Sequence, residues 1–190
     1  MQSICVFCGS SSGQSPMYKE AATRLGEYLA AREIELVYGG AQVGLMGAVA
    51  DGCLNAGGRV YGVMPEKLAN LELAHSGLTE LQIVPDMHAR KATMADRADA
   101  FIALPGGVGT FEELFEVWTW TQLGIHRKPL GVMNVGGFYD SLLGFLDQVE
   151  SAGFMKPAHR GLLQASDQPA QLLAQLRQVA LPDTPKWVDR

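Results

Sequence analysis

Six short and continuously apolar runs, SICVFC, IELVYG, RVYGVM, LQIVP, AFIALP and PLGVMN, recur along the chain, and between or after them lie helical-period segments at 17–32, 45–56, 87–97, 110–123 and 139–153. A strand with one face in water alternates apolar and polar residues; these runs do not, so both of their faces are expected to be covered. Alternation of such strands with helices predicts a parallel sheet with helices on both faces, an α/β fold of the Rossmann-like, doubly wound, mostly parallel kind. The stretch GLLQASDQPAQLLAQLRQVAL adds a short extended piece and a helix opened by Asp167 or Gln168, with Pro169 in its first turn. No repeat, low-complexity tract or linker interrupts the pattern, so residues 1–190 read as a single domain, and 47% hydrophobic with 18% charged residues suffices for its core.

Several classes of function are disfavoured by what the chain contains. Its apolar runs are broken well short of the roughly 20 residues that span a bilayer. The start MQSICVFCGS has no basic segment followed by a cleavage site, so the expectation is a soluble, cytoplasmic protein without a membrane partner. A net charge of −5 with dispersed Lys and Arg argues against a nucleic-acid partner. Cys5 and Cys8 have the spacing of a redox or metal pair, but residues i and i+3 of a strand point to opposite sides, and both read as buried strand residues. His75, His88, His126 and His159 are scattered without ligand spacing, so neither a metal nor another cofactor is expected.

The glycine-rich segments CGSSSG, YGGAQVGLMG, PGGVGT and NVGGF, together with PDMHARK, each leave the carboxyl end of an expected strand. In an open parallel sheet those ends share one edge, where helix N-termini also present free N–H groups, so the loops converge on a crevice receptive to phosphate. The dinucleotide fingerprint is missing after the first strand, and Leu45 stands where a P-loop requires lysine. Gly9-Ser10-Ser11-Ser12-Gly13 matches the G-x-S-x-G nucleophile elbow, yet it follows the first strand and no His stands out as its partner. A polar turn whose hydroxyls and N–H groups touch a ligand is the plainer reading.

The segment LPGGVGTFEE, residues 104–113, is the most informative. Thr110 and Glu113 satisfy the S/T-x-x-E capping box, which would make them the start of the helix. That leaves the run Pro105-Gly106-Gly107-Val108-Gly109 unexplained, whereas close approach of backbone amides to a phosphate requires such glycines. A carboxylate within a turn of that phosphate would be repelled, so Glu113 is expected to face the other end of the ligand, where positive charge develops. In PDMHARK, Asp86 can cap a helix whose first turns carry Arg90 and Lys91. Cations there oppose the helix dipole unless an anion is near.

Met87-His88-x-Arg90-Lys91 followed by Pro105-Gly106-Gly107-x-Gly109-Thr110-x-x-Glu113 resembles the paired signatures of the Lonely Guy family, cytokinin riboside 5′-monophosphate phosphoribohydrolases. The likeness extends from CVFCGSSSG through YGGAQVGLMG to WTQLGIHRKPLGVMN. It implies hydrolysis of the N-glycosidic bond of an N6-substituted adenosine 5′-monophosphate, or of AMP itself, and a homodimer. By the same resemblance Arg90 and Glu113 form the catalytic pair. Lys91 and the turn Gly106, Gly107, Val108, Gly109 and Thr110 contact the nucleotide, Gly9 and Ser10 line the pocket, and Glu72 and Thr119 bind substrate. Proteins of this type are often labelled lysine decarboxylases, but no lysine here carries the mark of a pyridoxal phosphate site.

The chemistry agrees with that assignment. Breaking C1′–N9 builds oxocarbenium character, which a fixed carboxylate near C1′ stabilises, or it orients the attacking water; Glu113 fits the role. Arg90 keeps its proton and therefore positions Glu113 and binds the ribose phosphate. No second carboxylate stands out as the acid for the leaving base. Phe115, Trp118 and Trp120 read as core or subunit interface rather than a base-stacking platform. Two other readings stay open on the residues alone: a nucleotide-binding module without turnover, and a broad nucleoside-monophosphate nucleosidase.

Overall fold

The computed structural model describes residues 1–69, 71 and 73–181. In chain order the elements are β1 (Ser3–Phe7), α1 (Pro16–Ala30), β2 (Glu35–Tyr38), α2 (Gly44–Asn55), β3 (Val60–Pro65), α3 (Glu66–Ala69), β4 (Glu80–Val84) and α4 (Met87–Arg97). There follow β5 (Ala100–Ala103), α5 (Val108–Leu123), β6 (Leu130–Met133), a 3-10 turn (Val135–Gly137), α6 (Asp140–Ser151), α7 (Pro157–Arg160), β7 (Leu163–Ser166) and α8 (Pro169–Gln178).

Among the described residues seven strands join one parallel sheet in the order β4-β3-β2-β1-β5-β6-β7. The sequence of strands runs outward one way from β1 to β4, then returns to β1's other side at β5. That reversal between β1 and β5 is the switch point at which loops splay apart and leave a crevice.

Local chemistry sets the helix ends. Ser15 caps α1 by accepting from the Met17 N–H at 3.4 Å, with Pro16 in the first turn. Asp86 caps α4 by accepting from the Ala89 N–H at 2.8 Å, and Gly124 closes α5 in the left-handed conformation at φ 72°. Pro169 opens α8 after Gln168, as its sequence suggested.

Two apolar clusters lie on the two faces of the sheet. One gathers Ile4, Val6 and Leu36 with residues of α1, α2 and α8; the other gathers Phe7, Val37 and Phe101 with residues of α4, α5 and α6. Cys5, in β1, belongs to the second and Cys8 to the first; Cys8 lies one residue past the strand rather than in it as expected, and both thiols are free and buried.

Three elements were not anticipated: α3, α7 and the 3-10 turn, each of three or four residues and too short to carry a helical period. One expectation is corrected. The run LQIVP forms the edge strand β4, which is largely open to solvent with Ile83 47% exposed, because among the described residues no further strand pairs with its outer side. Among the described residues no helix is long and apolar enough to cross a membrane.

Candidate active site

The loops after β1 and β5 meet at the switch point through backbone. Gly9 N–H donates to the Pro105 carbonyl at 3.1 Å, and Leu45 N–H, at the start of α2, donates to the Gly9 carbonyl at 3.0 Å. Gly106 lies so close to Thr110 and to the Gly9 nitrogen that a methyl group on it would overlap the Thr110 hydroxyl. Backbone packed this tightly leaves no room for side chains and brings the tip of α5 directly against the β1 loop.

The helix start differs from the capping-box expectation. Gly107 is the N-cap, with no side-chain cap bond, and α5 begins at Val108. Thr110 is thus the third helical residue, and Glu113 lies in the second turn. The first helical bond of α5 runs from Phe111 N–H to the Gly107 carbonyl. The N–H groups of Val108, Gly109 and Thr110 precede it and have no helical acceptor, so they form a positive tip aimed out of the helix. Glu113 is then free of any capping duty, and its burial has to be explained otherwise.

Its partner is Arg90. Glu113 is 8% and Arg90 9% exposed, and Nη1 of Arg90 lies 3.2 Å from Oε1 of Glu113. The Arg90 Nε donates to the Val63 carbonyl within β3, 3.2 Å away. Its guanidinium passes so near Gly39 that any side chain there would collide with it. A buried cation held by a strand carbonyl, a carboxylate and a glycine gap has one orientation available. Burial raises the Glu113 pKa above the usual glutamate value, with Arg90 pulling the other way.

A cavity of about 470 Å³ opens over this pair. Gly9, Ser10, Arg90, Gly107, Val108, Gly109, Thr110 and Glu113 all line it, so most of the residues singled out from sequence do converge. Gly106 lines an adjoining pocket of about 240 Å³ with Ser10, Ser11, Ser12, Tyr18 and Phe138. Arg90 is the only cationic side chain among the described residues around either space, and no histidine lines them. The serine elbow therefore lacks a partner base. Its Ser11 hydroxyl accepts from the Gly13 N–H at 3.3 Å, as a polar turn does.

Other residues are placed elsewhere. Lys91 does not line the cavity; its amine is bonded to Glu112 and Glu116 of α5. Thr119 is exposed on α5 and lines neither space. Glu72 lies outside the described residues. Trp118 is buried, with its indole N–H donating to the His159 carbonyl at 3.1 Å, while Phe115 stacks on it at the surface. Sequence reasoning missed the apolar wall of Met46, Met64, Leu68, Leu73 and Met87. Met64, at the carboxyl end of β3, and Met46, in the first turn of α2, could have been found from their position beside the glycine loops.

A larger hollow of about 600 Å³ sits at the amino ends of the strands, between Gln2, Arg59, Arg97 and Asp99, away from the loops that form the crevice. Among the described residues no three His, Cys, Asp or Glu side chains gather to hold a metal ion.

Comparison with known proteins gives a consistent picture. A family profile described as "Possible lysine decarboxylase" matches residues 46–176. A cytokinin riboside 5′-monophosphate phosphoribohydrolase of Arabidopsis thaliana is 53% identical over 175 residues, 92% of this chain and 81% of the relative. A probable enzyme of the same name from Oryza sativa subsp. japonica is 52% identical over 168 residues, 88% of this chain and 74% of the relative. Among solved structures, the molybdenum cofactor carrier protein of Chlamydomonas reinhardtii superposes with a TM-score of 0.71 at 20% identity, over 93% of this chain and 96% of that one. DNA processing protein A of Helicobacter pylori does so with a TM-score of 0.59 at 16% identity, over 94% of this chain and 81% of that one. The two structural likenesses show the fold alone.

Proposed function

The chain belongs to the family of cytokinin riboside 5′-monophosphate phosphoribohydrolases, and from that premise we propose that it hydrolyses the N-glycosidic bond of N6-substituted adenosine 5′-monophosphates to free base and ribose 5-phosphate. The observation that carries the reading is one buried carboxylate, Glu113, held 3.2 Å from Arg90 under the cavity into which the α5 tip opens. Glu113 follows Val108 by five residues, about 8 Å of helix rise, which separates the phosphate end of a nucleotide from its anomeric carbon.

The 5′-phosphate is bound by the N–H groups of Val108, Gly109 and Thr110 and by the hydroxyls of Thr110 and Ser10. With the phosphate there, the ribose lies over Glu113. As C1′–N9 lengthens, positive charge grows on C1′ and the ring oxygen, and the Glu113 carboxylate stabilises it at close range in a site of low dielectric. Water adds to C1′ and gives up one proton, the electron pair of the broken C1′–N9 bond stays on N9, and the base takes up one proton as it departs. Arg90 remains charged throughout; it keeps Glu113 ionised and aimed. The apolar wall of Met46, Met64, Leu68 and Leu73 suits an alkyl group on N6.

The decarboxylase description fits the residues poorly. Pyridoxal phosphate chemistry attaches its cofactor through a lysine, and among the described residues no lysine lines either pocket. We take the working form to be a homodimer, supported by exposed Phe115, Ile125 and Phe154.

The test is incubation with AMP and with isopentenyladenosine monophosphate, followed by chromatography of base and ribose 5-phosphate. Both products in equal amounts are expected, faster from the N6-substituted nucleotide. Equal rates would point to a broad nucleosidase, and no base from any nucleotide to a binding module.

A further inference from the structure

Lys91 follows Arg90 on α4, yet its placement is not that of a phosphate ligand. The amine meets Glu112 Oε1 and lies 3.0 Å from Glu116 Oε2, and the side chain is only 10% exposed. Beside it, Arg90 meets Glu113. Two adjacent cations of α4 thus grip three carboxylates in two successive turns of α5, and the two helices are joined at the site by charge. We propose that Lys91 is a positioning residue: it clamps α4 to α5 so that Arg90 and Glu113 stay in register, and it neutralises Glu112 and Glu116 so that Glu113 can remain ionised. The inference rests on the reading of Glu113 as the group that meets C1′.

The charges around Glu113 give this a definite sign. Facing it are Arg90 and Lys91 from α4, Glu112 and Glu116 from its own helix, and the buried thiols of Cys5 in β1 and Cys8 just after it, which burial keeps protonated. Burial is the main cause that raises the Glu113 pKa; Arg90 and Lys91 oppose it, and Glu112 and Glu116 add to it. Removing Lys91 deletes one opposing cation and leaves two anions unneutralised. Each change makes Glu113 harder to ionise. Lys91 itself is pulled down by burial, but its hydrogen bonds and charge contacts with Glu112 and Glu116 outweigh that and hold it protonated.

The experiment compares wild type, Lys91→Met, Lys91→Arg and the double variant Glu112→Gln/Glu116→Gln. Turnover of isopentenyladenosine monophosphate is measured against pH, and the Glu113 carboxyl is titrated by carbon NMR in the same proteins. For Lys91→Met the clamp predicts kcat lower by about tenfold, KM nearly unchanged, and both the acid limb of the rate profile and the Glu113 titration moved to higher pH. Lys91→Arg restores all three. The double variant keeps Lys91 but removes the anions, and should move the Glu113 titration to lower pH; it serves if Lys91→Met does not fold. A large rise in KM with kcat and titration unchanged would make Lys91 a direct nucleotide contact and overturn the proposal, as would no change at all. Wild type without turnover would remove the functional reading, while the NMR titration would still decide the clamp.

Discussion

At the scale of residues, the account turns on a carboxylate that is buried but must be charged. Replacing Glu113 with Gln keeps its shape and removes its charge, so kcat should fall by about 10²–10³ while nucleotide binding, followed by calorimetry, is retained. Full activity in that variant would remove the carboxylate from the mechanism. The pH dependence has a fixed sign. Glu113 has its pKa raised mainly by burial, and the proposed mechanism needs the ionised form, so kcat should rise with pH through a limb lying above the usual glutamate value of about 4.3. A limb at or below that value would mean that some other group titrates. That Arg90 and Glu113 share the crevice was legible from their motifs. The partners of Lys91 were not, because Glu112 and Glu116 lie on another helix, and local sequence holds no sign of which side chains meet across space.

At the scale of elements, the proposed mechanism gives two glycines separable effects, one on binding and one on chemistry. A methyl on Gly106 collides with the Thr110 hydroxyl and presses on Gly9, which shifts the tip of α5; Gly106→Ala should raise KM for AMP about tenfold or more. A methyl on Gly39 collides with the Arg90 guanidinium, so Gly39→Ala should lower kcat more than it alters KM. Steady-state kinetics on the pair checks the division, and equal effects of both on both constants would contradict it. The helix at 87–97 was legible to the residue, since Asp86 announces its start. The start of α5 was not: Thr110 and Glu113 fit a capping box by spacing, but glycine backbone packed on Gly9 lets the helix begin at Val108 instead.

At the scale of the whole molecule, strand order does what no single motif can. The reversal between β1 and β5 brings together a serine-rich loop at residues 9–13 and a helix tip near residue 108, distant in sequence and joined by one hydrogen bond from Gly9 to Pro105. That the glycine loops share one edge was readable from the alternation of strands and helices. That β4 is an exposed edge was not, because an apolar run looks the same at the rim as at the centre. The protein is acidic, with net charge −5, and Arg90 is the single cation on the described lining. On the proposed reading phosphate is held by amide dipoles rather than by a basic field, so raising NaCl to about 0.5 M should change KM for AMP by no more than about threefold. The most direct test is a crystal structure of the Glu113→Gln variant with AMP bound. The account predicts the phosphate within hydrogen-bond reach of the Val108, Gly109 and Thr110 N–H groups and C1′ in contact with the side chain at position 113. A phosphate bound elsewhere, or a ribose turned away from that side chain, would contradict it.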